Sequence, residues 1–152
     1  MPAAERTAAL FQSDRFNANE PQPYFVNPEC FGDDLARWLI EGLRAAGHET
    51  GDAPGAEDFG WYVRYAVGGV PCCAVVGRAA DEGWFVVVER DCGLVRSVFG
   101  GRHRGVPAEG VAAVHAVLSA SDEVRGLRWY SWAEFTDRRW PDLPGAPTPD
   151  AR

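Results

Sequence analysis

The sequence predicts an α+β domain, a two-layer sandwich in which an antiparallel meander of about four to five strands carries two helices on one face, in the order β-α-β-β-β-α-β. Three observations predict it. Apolar residues recur at helical spacing between Phe31 and Ala46 and again between Val111 and Leu118; period-two alternation begins at Trp61; and Gly68-Gly69 interrupts that alternation as a two-residue hairpin turn.

Taken in chain order, Ala8 to Phe16 reads as a short first strand, and Asn17 to Pro28, with three prolines, as a loop. Phe31, Leu35, Trp38, Leu39, Leu43 and Ala46 then share one side of a helix. Asp33 and Asp34 sit near its positive end and Gly47 is placed to stop it. His48 to Asp58 is a connection rich in Gly, Pro and acids. Trp61, Val63, Tyr65 and Val67 define one face of a strand, with Tyr62, Arg64 and Ala66 on the other. Val70 to Val76 returns from the hairpin, and Trp84 to Glu89 reads as the central strand of the meander. Leu94 to Phe99 suggests another short strand before the Gly-rich run at 100–105. Pro107 marks the start of the second helix, which ends near Asp122, and Leu127 to Phe135 reads as the last strand. Residues 1–136 form one domain, and 137–152, with four prolines, an extended or disordered tail.

The 152 residues are enough for a single core. No apolar run reaches the roughly 18 residues that a membrane helix needs, and Met1 to Thr7 has neither the basic start nor the apolar segment of a signal peptide, so a cytoplasmic location is expected. All fifteen basic residues are Arg, as in a GC-rich bacterial genome. Schiff-base chemistry, a phosphate loop ending in Lys and a Lys general base are thereby excluded. A net charge of −7 opposes nucleic acid and favours a basic protein partner.

Cys30, Cys72, Cys73 and Cys92 lack the paired spacing of a zinc site and read as ordinary buried thiols; on a strand, Cys72 and Cys73 face opposite ways. No metal or cofactor is expected. No nucleophile elbow, H-E-x-x-H or G-x-G-x-x-G occurs, so no catalytic residue is assigned. His115 reads as a packed, hydrogen-bonded histidine.

Two strings suggest binding. Glu57-Asp58-Phe59-Gly60-Trp61-Tyr62 joins two carboxylates to large aromatics at a strand entrance, suited to an Arg- or Lys-rich partner, although Phe59 and Trp61 are themselves expected in the core. In Leu127 to Phe135 an outward set of Arg128, Tyr130, Trp132 and Glu134 has a hot-spot composition, unless the phase is reversed or the tail covers it.

The first helix, followed by Glu57-Asp58-Phe59-Gly60-Trp61 and a Val-rich aromatic meander, resembles small bacterial domains similar to toxin-immunity proteins, over Phe31 to Glu89. The resemblance implies a noncatalytic cytoplasmic protein that blocks a toxin's active site, and transfers no site residue. The leading expectation is therefore an immunity-type inhibitor of a basic toxin, with Glu57, Asp58, Tyr62, Arg64, Tyr130, Trp132 and Glu134 as contacts on an open sheet face. The alternatives are a small-molecule-binding or enzymatic domain using Arg64, Arg102 and His103 in a pocket between sheet and helices, and a subunit of a larger assembly.

Overall fold

The alternating segments pair as their patterns require. In the computed structural model, which describes residues 3–18, 20–25, 30–57, 60–79, 83–90 and 103–150 (residue 57 by its backbone only), β1 spans Arg6–Gln12, α1 Asp33–Ala45, β2 Glu49–Thr50, β3 Gly55–Glu57, β4 Gly60–Val67, β5 Val70–Arg78 and β6 Trp84–Glu89. They are followed by α2 (Ala108–Ser119), β7 (Arg125–Ser131), α3 (Trp132–Thr136) and a 3₁₀ turn over Trp140–Asp142. Among these residues the sheet has seven strands in the order β2-β4-β5-β6-β1-β7, with β3 also on β4, and every pairing is antiparallel. The α+β architecture and the order of its main elements are as the sequence predicts. The two extra strands, β2 and β3, lie in what reads as a connection; two or three residues on one edge are too short to show a period.

Gly68 and Gly69 both have positive φ (57° and 80°), the backbone of the tight hairpin that sets the β4–β5 register. That register puts Trp61, Val63, Tyr65, Cys72, Ala74 and Val76 on one face of the sheet. Leu35, Leu39 and Leu43 of α1 and Val111, Val114 and Leu118 of α2 close over it. Each such aliphatic side chain contributes roughly 1.5–3 kcal/mol through burial. Helix α1 ends as expected: the amides of Gly47 and His48 turn back onto the carbonyls of Arg44 and Leu43.

The C-terminal reading needs correction. The last strand stops at Ser131, whose hydroxyl accepts from the Glu134 amide while the Glu134 carboxylate accepts from the Ser131 amide. This Ser-Trp-Ala-Glu capping box starts α3 where aromatic content alone suggests continued strand. The segment beyond is docked: Ala146 exchanges two backbone hydrogen bonds with Trp129 (2.8 and 2.9 Å) and is buried. The second sheet face is consequently not open throughout. Around Ala8, Leu10, Val87 and Tyr130 it is packed by Phe85, Trp132, Phe135, Trp140 and Leu143. The first strand also ends earlier than expected, where Ser13 begins a turn bonded to the Arg15 amide. The expected strand over Leu94 to Phe99 lies outside the described residues. No described helix is long and apolar enough to cross a membrane.

Candidate functional site

The second face is the place to test the expected contact set. Strand registers give a continuous row across it, Tyr62–Val75–Val87–Ala8–Tyr130. Four interstrand steps separate the two tyrosines, roughly 19 Å. The expected residues therefore fall into two groups rather than one patch.

The first group lies on the β4 edge. Tyr62 is half-buried, and its ring rests on the backbone of Gly55 in β3, where a Cβ would come within 2.0 Å of the ring. The exposed Arg64 guanidinium sits 5.6 Å from the Tyr62 ring centroid, a cation–π arrangement. Glu57 pairs through its backbone with Gly60, and Asp58 lies outside the described residues. Residues 1–64 carry eleven carboxylates against five arginines; of these, Glu49 lies beside the edge on β2, and Asp52, in the loop after it, pairs with Arg44 at 3.4 Å. Glu41, Glu49 and Asp52 are exposed on α1, β2 and the loop that follows β2.

The second group is consumed by structure. Tyr130, expected to face outward, is only 5% exposed, and its hydroxyl donates to the Leu143 carbonyl at 3.2 Å. Burial raises its phenol above the usual value, with Arg128 acting against the shift and Glu134 adding to it. Glu134 caps α3, and Trp132 lies on α3 rather than on the strand. The tail supplies the cover, as one of the two structural alternatives foresaw.

Between the groups lies a cluster that the motifs do not announce. Glu89 is 5% exposed, at the second-face end of β6, and its carboxylate lies 3.8 Å from Nδ1 of His103. The His103 ring stacks on Trp132, with centroids 3.4 Å apart and planes within 9°. The one available signal is the position of Glu89, which ends an apolar strand in phase with Phe85 and Val87 rather than with a solvent face. At 3.8 Å the pair is in ion-pair reach but longer than a hydrogen bond. Cys73, opposite Glu89 in register, is disulfide-bonded rather than the plain thiol expected, and offers no thiolate to the pair. The pocket alternative is not assembled as anticipated: His103 is on the face away from the helices, Arg64 points to solvent beside Tyr62, and Arg102 lies outside the described residues.

On the helix face the polar groups are structural. The Tyr65 hydroxyl donates to the Gly110 carbonyl at 2.7 Å, and burial holds its phenol well above the usual value. Burial likewise raises the Cys72 thiol, partly offset by the Tyr65 hydrogen bond. His115 accepts from the Trp129 indole at 3.0 Å, the packed, bonded histidine that its helix position suggests. Among the described residues no three His, Cys, Asp or Glu side chains converge as a metal site. The chain matches no family model, no curated protein and no solved structure.

Proposed function

We propose that the chain is a noncatalytic protein-binding module that docks a basic partner, most concretely an immunity-type inhibitor that covers a basic bacterial toxin in the cytoplasm. The observation that carries this reading is the β4 edge: a half-buried tyrosine with the Arg64 guanidinium over its ring, bordered by exposed Glu49 of β2 and Asp52 of the loop that follows. A held aromatic supplies contact area without a large ordering cost, and surrounding carboxylates steer a cationic surface onto it. The contact set narrows accordingly to Tyr62, Arg64, Glu57 and Asp58. Tyr130, Trp132 and Glu134 support the scaffold.

The test is co-expression with a basic toxin encoded beside this chain, followed by titration calorimetry at low and high salt. The expected result is restored growth and a complex that weakens with salt, with Tyr62→Ala costing at least about 2 kcal/mol of binding. Unrelieved toxicity with no complex, or a complex indifferent to Tyr62→Ala, overturns the reading.

A further inference from the structure

We propose that the second face carries a site for a small aromatic carboxylate, in the groove beside β1 between Tyr130 and the Trp140 turn. The groove encloses ≈ 350 Å³, in the range of roughly 300–1,000 Å³ found for small-ligand pockets. Leu10 and the Tyr130 ring form its floor, Trp140 a wall, and Gln12 and Arg128 its polar rim. Leu10 and Arg128 are directly opposite in register, so the guanidinium stem rises beside the apolar floor.

The charge pattern selects an anion. Arg125 is paired with Asp14 at 3.2 Å and Arg139 with Asp137 at 3.9 Å, whereas Arg128 makes no ion pair among the described residues. A ligand carboxylate can take both nitrogens of that planar group without displacing an existing partner. A second hollow of ≈ 280 Å³ shares Gln12, but there Arg125 is balanced by Asp14 and Arg78 lies over the Trp84 ring, so Arg128 is the cation on which the site rests. The net charge of −7 works against an anion overall, so selectivity rests on the local pairing with Arg128.

The walls select a flat apolar body. Trp140 is half-buried and lines the groove, whereas Tyr130 is 5% exposed, with its hydroxyl committed to Leu143 and Gly145 against its ring, so stacking falls to Trp140. Asp142, exposed two residues beyond Trp140 on the same turn, is the carboxylate that works against the site. The inference does not depend on the partner-docking reading, which uses the opposite edge of the sheet.

The experiment is a titration of the ¹⁵N-labelled full chain followed by amide shifts, with indole-3-acetate, its neutral analogue indole-3-acetamide, and inorganic phosphate as probes. Saturable shifts of Leu10, Gln12, Gly126 and Arg128 with the acid are expected, weakened about tenfold or more by Arg128→Gln. Trp140→Leu should weaken binding and Asp142→Asn should strengthen it, and the exposed-site variants Arg128→Gln and Asp142→Asn should keep the thermal midpoint of the parent. The proposal is overturned by an absence of shifts at millimolar acid, by equal binding of acid and amide, or by phosphate alone producing the same shifts as strongly. An Arg128→Gln variant that stays folded and binds unchanged overturns it equally.

Discussion

The two faces of the sheet are built on different terms. The helix-covered face is apolar from edge to edge, and among the described residues the largest side chains fully removed from solvent belong to it, Val87 excepted. Polar atoms there are paired at short range, as in Tyr65 to Gly110 and Trp129 to His115, with the buried Thr7 hydroxyl as an exception among the described residues. The second face is closed by a five-residue helix, a 3₁₀ turn and a proline-rich strap, and it keeps Arg64, Glu89, His103 and Arg128 among its apolar groups. Long helices supply enough buried area to exclude charge. A short strap covers only part of a sheet and leaves a rim where charge meets aromatic surface, so the first face carries stability and the second holds the groups proposed for recognition.

The sharpest way to break that contrast is to make matched cavities. Val88→Ala, on the helix-covered side of β6, should cost about 3 kcal/mol, the loss of two methyl groups plus the cavity left under the helices. Val87→Ala, equally central in the sheet but facing the strap, should cost about 2 kcal/mol, little beyond the loss of its own methyl groups. Urea unfolding of both variants checks this through the midpoints at constant slope. Equal losses would mean that the strap packs as tightly as the helices, and would remove the physical distinction between the faces.

A smaller effect sharpens the same comparison. Ser131→Ala removes the hydroxyl that accepts from the Glu134 amide, and helix N-caps of this kind are worth about 1 kcal/mol. Because α3 carries Trp132 and Phe135 onto the second face, hydrogen exchange should accelerate in 130–146 with little change in α1 and α2. A uniform acceleration would instead make the strap part of one cooperative unit with the core.

How much of this was legible follows from how local each signal is. Helix α1, the Gly68-Gly69 hairpin and the alternation of β4 are written in neighbouring residues, and they formed where their spacing placed them. The error at Ser131 arose because β-propensity in Trp129, Tyr130 and Trp132 competed with a capping box, and the box prevailed: it satisfies two otherwise orphaned amides at once. Ser13 ended the first strand by the same kind of local side-chain bond. The candidate site was less legible, because it depends on which strands become neighbours. Tyr62 and Tyr130 share a face, as alternation predicts, yet β5, β6 and β1 intervene between their strands. The approach of His103 to Glu89 and Trp132 joins three separate segments, and no spacing in the sequence encodes it.

The mildest prediction probes polar pairing on the stable face. Burial lowers the His115 pKa below its ordinary value of 6.5, with Asp150 partly opposing the shift, and the Trp129 indole donates to the Nδ1 lone pair that a proton would occupy. Between the folded value and 6.5 the unfolded chain therefore binds more protons at this residue than the folded one, so stability rises with pH across that window. The contribution is complete above about pH 6.5 and fades as pH falls toward the folded value. His115→Gln keeps an acceptor for the indole but cannot gain the proton. Urea midpoints from neutral to mildly acid pH should thus fall more steeply for the parent than for His115→Gln. Parallel curves would show that the imidazole keeps its ordinary affinity for protons, and that the helix face tolerates charge as readily as the face closed by the strap.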